Sequence, residues 1–165
     1  MAQEKILIMD DDQIFRMLLR EDLSCEGYAV TSATDANDAL ALLATDAFAL
    51  VIADLKLPDP RGHEFIQRVK ALSPSPIVVL VTTCSSREHL DEMLRIGVSA
   101  HVLKPFALTE LRDLLKTCLK RLRTKSEASM SATRRTARPA RMLDHTELGN
   151  QRIGGLCRSA TANSL

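Results

Sequence analysis

Tryptophan is missing from this chain, Tyr28 is its one tyrosine, and aromatic residues make up only 3% of the 165. So few rings argue against the base-stacking surfaces of the common single-strand nucleic-acid modules, and leave a core to be built from Leu, Ile, Val and Ala. No apolar run reaches the roughly 18 residues of a membrane span. The lead from Met1 to Lys5 passes straight into a short apolar stretch closed by three aspartates, unlike a secretion signal, so a cytoplasmic protein is expected. Cys25, Cys84, Cys118 and Cys157 lie far apart with no CxxC pair. That spacing suggests neither a zinc site nor a disulfide framework, and reduced, mostly buried thiols are expected. A glycine-rich phosphate loop is also missing: Asp10-Asp11-Asp12-Gln13 follows the first apolar run and repels phosphate unless a metal intervenes.

The length fits one domain of ordinary size with a tail left over, and excludes two full domains. The formal net charge of +1 hides an asymmetry: residues 1–121 carry a net −4 and residues 122–165 a net +5. An acidic body of residues 1–121 therefore carries a basic extension of residues 122–165.

Within the body, short apolar runs alternate with helical periodicity. Lys5 to Met9, Ala47 to Ala53, Ile77 to Val81 and Ala100 to Leu103 read as buried strands, with Tyr28 to Ser32 as a fifth. Between them, Ile14, Leu18, Leu19 and Leu23 share a helical face before Gly27. Ala36, Ala39, Leu40 and Leu43 form the next, and Phe65, Ile66, Val69 and Leu72 follow Gly62. Leu90, Met93 and Leu94 run to Gly97, and Leu108, Leu111, Leu114, Leu115 and Leu119 close the series. Five βα units in succession predict a doubly wound α/β fold, a parallel sheet between two helical layers with right-handed crossovers. After Arg121 the helical pattern fades into a stretch rich in Ser, Thr, Ala and Arg, which predicts disorder.

Ligands of such sheets sit at the carboxyl ends of the strands. The residues ending these strands are Asp10, Asp11, Asp54, Thr82 and Lys104. Neighbouring carboxylates at one edge call for a cation, and oxygen-only ligands favour Mg²⁺ bridging protein to a phosphoryl oxygen. A carboxylate held there can act as a nucleophile and form an acyl phosphate. Lys104 would neutralise the transferring group, and the Thr82 hydroxyl would donate to it. Asp12 has a simpler role, as the N-cap of the helix that follows.

Four segments, IMDDD at 8–12, DLKLPDPRG at 54–62, LVTT at 80–83 and LKPF at 103–106, together resemble the receiver domain of bacterial two-component response regulators, of the single-domain chemotaxis-regulator kind. The resemblance covers residues 4–121 and none of the extension. It implies a flavodoxin-like five-stranded sheet in the order 2-1-3-4-5. It further implies that Asp54 is the phosphoacceptor, charged by a sensor histidine kinase or a histidine phosphotransfer protein. Asp11 would bind Mg²⁺ directly, Asp10 largely through water, Asp54 itself as a ligand, and Lys56 through its backbone carbonyl. Thr82 would move to the phosphoryl group on activation while Lys104 pairs with it, and Pro105 would follow a cis peptide bond. His101 stands where the family carries a switching aromatic ring, and can either rotate or remain a partly exposed histidine without that role. Thr83 and Cys84, with Lys56, occupy positions that tune phosphoryl lifetime, and Arg61 changes the charge of the loop after the acceptor.

An enzyme of similar fold is the competing expectation: Asp10-x-Asp12-x-Ile14 resembles the nucleophile motif of haloacid-dehalogenase-type phosphatases, with Asp10 as nucleophile. That family needs an acidic pair after a later strand, where this chain offers only Glu110 and Asp113 within a helix. A signalling domain without separate substrate turnover is therefore expected, acting on a protein partner or in a phosphorelay. The extension is expected to be solvated; contact of this basic arm with nucleic acid, or with the acidic body, is the alternative.

Overall fold

A computed structural model describes residues 3–56 and 59–136, the last eight as backbone only. Strand and helix alternate throughout, in the order β1 (Lys5–Met9), α1 (Gln13–Cys25), β2 (Ala29–Ala33), α2 (Ala36–Thr45), β3 (Leu50–Asp54), α3 (Pro60–Lys70), β4 (Ile77–Thr82), α4 (Arg87–Arg95), β5 (Ala100–Leu103) and α5 (Leu108–Thr136). The five strands form one parallel sheet in the order β2-β1-β3-β4-β5. This is the doubly wound architecture expected from the sequence.

Period-2 alternation in strands buried on both faces splits the core in two. Ile6, Ile8, Leu50, Ile52, Val79, Val81 and Val102 pack with Leu19 and Leu23 of α1 and with Leu111, Leu115 and Leu119 of α5. Leu7, Met9, Val51, Ala53, Val78 and Leu80 pack on the other side with Ala39, Leu43, Phe65, Ile66, Val69, Leu90 and Met93 of α2, α3 and α4.

Local chemistry sets the element boundaries. Asp12, Asp35 and Asp59 are N-caps whose carboxylates accept backbone N–H groups at the starts of α1, α2 and α3. Asp59 and Pro60 start α3 two residues before Gly62, ahead of the expected point. Gly27 and Gly97, just past α1 and α4, have φ of +92° and +117°, which other residues adopt only at a cost. At Gly97 a Cβ would also lie 2.8 Å from Cε of Lys70.

Three expectations are corrected. Ile14 and Leu18 do not join Leu19 and Leu23 in the core: they are 71% and 54% exposed, and Met17 beside them is 63% exposed. The apolar stripe of α1 is wider than the surface the sheet can cover. Among the described cysteines only Cys118 is buried; Cys25 is exposed and Cys84 intermediate. Finally, α5 does not fade at Arg121 but continues to Thr136, making 29 residues. Lys125, Glu127, Ala128, Met130, Ala132, Arg134 and Arg135 are good helix formers, no Gly or Pro intervenes, and a helix already nucleated by packed turns propagates without an apolar stripe. Arg123 also ties the continuing turn to the body through Glu4, at 2.8 Å. The expected disorder of residues 137–165, and Cys157, lie outside the described residues.

Candidate functional site

Strand register brings the polar ends to one edge. Met9 pairs with Ala53, Asp54 with Val81, and Thr82 with Leu103. Asp10, Asp54, Thr82 and Lys104 thus emerge side by side from four neighbouring strands. Asp10 and Asp54 extend the alternation of Ile6 and Ile8, and of Leu50 and Ile52, so they share the α1 and α5 side of the sheet.

Lys104 joins them: its Nζ lies 2.9 Å from Asp54 Oδ2 and 3.2 Å from Asp10 Oδ2. The ammonium also stands 4.8 Å from the centroid of the Phe15 ring, a cation–π contact. Phe106 meets Phe15 edge-on at 5.9 Å, closing an aromatic wall beside the lysine. Lys104 and Pro105 are linked by a cis peptide bond.

The three carboxylates differ in surroundings. Asp10 is 2% exposed; its Oδ1 accepts the Asp12 N–H at 2.8 Å, and its carbonyl accepts from Arg16 Nη1 at 2.6 Å. Asp54 is mostly covered, and burial, reinforced by the negative charges of Asp10 and Asp11, raises its pKa against the opposing pull of Lys104. Burial works against the charge on Lys104, but the contacts with Asp54 and Asp10 outweigh it and raise its pKa. Asp11 stands in solvent, and the hydrogen bond and charge of Lys56, 2.5 Å away at Oδ2, lower its pKa.

One carboxylate oxygen from each of Asp10, Asp11 and Asp54 lies within 4.8 Å of the others. An all-oxygen donor set of this density, open on one side to a cleft that reaches Asp35, Asp59 and Arg61, suits a hard divalent cation that keeps part of its water shell.

Two of the expected site residues stand apart from this cluster. The Thr82 side chain is fully buried, and its Oγ1 accepts the Cys84 N–H at 3.1 Å. His101 is half-buried on β5, in register with Leu80 of β4, and its side chain forms no hydrogen bond or ion pair with a described residue. Sequence reasoning missed Phe15, Phe106 and Arg16, and also the Lys56 side chain as a partner of Asp11. Phe15 and Arg16 lie in the first turn after the Asp12 cap, and that proximity to the acidic strand end was the available signal.

Fold and acidic edge together place the molecule among the CheY-like doubly wound signalling domains. The chain belongs to the response regulator receiver domain family, whose family model matches residues 6–116. It is 34% identical to sporulation initiation phosphotransferase F of Bacillus subtilis over 119 residues, covering 72% of this chain and 96% of that protein. It is 32% identical to the response regulator protein FleR of Pseudomonas aeruginosa over 67% of this chain, which corresponds to only 24% of that longer protein. Among solved structures, a CheY-like receiver domain protein of Methanospirillum hungatei superposes with a TM-score of 0.70 at 31% identity, covering 75% of this chain and 99% of that one. The chain is thus a receiver domain of two-component response regulators, and nothing in these similarities favours the phosphatase alternative.

Proposed function

We propose that Asp54 accepts a phosphoryl group from a phosphohistidine of a sensor histidine kinase or a histidine phosphotransfer protein, in a Mg²⁺-dependent reaction. The observation that carries this reading is the contact of the largely covered Asp54 with Lys104 at 2.9 Å, beside the carboxylates of Asp10 and Asp11. A carboxylate oxygen of Asp54 attacks phosphorus, the P–N bond breaks, and the imidazole departs with the electron pair. Lys104 neutralises the oxygens of the transferring group, and Asp54 is already desolvated for attack. Asp10, Asp11, Asp54 and the Lys56 carbonyl would hold Mg²⁺, which supplies further neutralisation of the phosphoryl oxygens. Once phosphoryl oxygens are present, the Thr82 hydroxyl exchanges its contact with Cys84 for one with them, and His101 on β5 responds to the space vacated.

The phosphodonor must approach over the rim of this edge, where α1 begins. Ile14, Met17 and Leu18 form an exposed apolar surface there, suited to a protein donor rather than a small metabolite. The output is a conformational signal to a protein partner or a further phosphotransfer, without turnover of a separate substrate. Residues 1–121 form the working unit and residues 122–165 its basic extension. Among the described residues no helix is long and apolar enough to cross a membrane, which supports a cytoplasmic setting.

Incubation with acetyl phosphate and Mg²⁺ tests the assignment. Acid-stable, alkali-labile label is expected in the unaltered chain and not in Asp54→Asn. Label that survives in Asp54→Asn but vanishes in Asp10→Asn would return the molecule to the phosphatase alternative.

A further inference from the structure

The two lysines of the site are held differently. Lys104 is only 26% exposed, is backed by the Phe15 ring, and is shared by the two covered carboxylates. Lys56 is 76% exposed and pairs with Asp11, itself 62% exposed; Asp11 is the one partner of its ammonium among the described residues. Asp11 is also the carboxylate most open to an arriving cation.

We propose that the Lys56 side chain is a tethered counter-ion that competes with Mg²⁺ for Asp11, and so sets the metal concentration at which the site fills. The inference rests on the magnesium reading above and adds to it a residue whose side chain opposes the metal. Three carboxylates against two ammoniums leave the cluster with a formal charge of −1. Removing Lys56 would make it −2 and strengthen attraction for a divalent ion. An ammonium on Oδ2 of Asp11 and a metal at the roughly 2.1 Å of a Mg–O bond cannot share the same oxygen without strong repulsion. Lys56 must therefore give up Oδ2 when the metal takes that oxygen, and it repels a metal held on the other oxygen of the same carboxylate. Its departure is easy, because the ion pair is exposed and the freed ammonium is at once hydrated. Lys56 thus weakens metal binding without blocking it, whereas Lys104 is anchored among buried groups and stays.

Magnesium titration of the full 165-residue chain by calorimetry, with the Asp11 and Leu55 amide resonances as a second readout, tests the inference. Lys56→Met should bind Mg²⁺ about two- to fivefold more tightly than the unaltered chain, the range expected from release of an exposed ion pair. Lys56→Arg, which keeps the charge, should bind as the unaltered chain does. Lys5→Met removes a comparable exposed lysine, one paired with the remote Asp46 at 2.6 Å, and should leave the affinity unchanged. Equal affinity in Lys56→Met, a gain no larger than that of Lys5→Met, or an equal gain in Lys56→Arg overturns the inference and leaves the phosphoacceptor reading intact. Failure of every chain to bind Mg²⁺ overturns both.

Discussion

The Lys104 ammonium reaches Asp54 Oδ2 at 2.9 Å across fifty residues of sequence, and the same Nζ touches Asp10 at 3.2 Å. One cation therefore compensates two covered carboxylates. Lys104→Met would strand both. Because Asp10 is 2% exposed, the cost to stability without metal is expected to be about 1–3 kcal/mol, measurable as a drop in urea midpoint that added Mg²⁺ partly reverses. Phosphorylation by acetyl phosphate should fall about a hundredfold, the scale seen when one charge-stabilising donor is removed. An unchanged rate would remove Lys104 from the reaction.

Asp54 is electrostatically unfavourable in its ionised form. Burial and its acidic neighbours raise its pKa, so the folded state binds a proton there more readily than the unfolded chain does. Ionised Asp54 therefore costs stability, and that cost disappears as pH falls through the raised value. Asp54→Asn is expected to melt about 2–5 °C higher at neutral pH without metal. The difference should shrink on acidification; a gap that widens toward low pH would contradict the assigned direction.

Thr82 tests a switch rather than the chemistry of acceptance. Its Oγ1 accepts the Cys84 N–H at 3.1 Å in a fully buried position. Thr82→Ala leaves that donor without its partner, at a cost of about 1 kcal/mol, while Thr82→Ser retains it. Both variants should accept label on Asp54. The amide shifts that phosphorylation induces around His101 and α4 should be retained in the serine variant and lost in the alanine one.

Ile14 and Leu18 should separate protein donors from small ones. Ile14→Glu and Leu18→Glu lie on exposed surface and should alter stability by no more than about 0.5 kcal/mol. Transfer from a phosphohistidine protein is expected to slow about tenfold, as when a residue central to an interface is lost. Labelling by acetyl phosphate should stay as it was. Equal loss with both donors would place the effect in the site instead of the docking surface.

Much of this was legible before any coordinates. Five apolar runs with polar ends, separated by helical periods, sufficed for the parallel sheet and for the edge at which the residues closing those runs meet. Asp10, Asp11, Asp54 and Lys104 converge because parallel strands in register must end at one edge. Caps were equally local: Asp12 accepts from the N–H groups of Ile14 and Phe15, as its place before an apolar-periodic helix suggests.

Other features depend on groups distant in sequence and had no local signature. Hydrophobic periodicity shows that α1 has an apolar stripe, but how much of it the sheet covers depends on packing, and Ile14 and Leu18 fall outside. The end of α5 depended on propensity and on the Arg123–Glu4 pair, 119 residues apart, rather than on the apolar pattern that stops near Arg121. Two lysines of the same chemical type became a largely covered, shared counter-ion at 104 and a solvent-exposed one at 56. Burial decides that difference, because the strength of an ion pair depends on how much water its neighbours exclude, and those neighbours are assembled only when the strands come together.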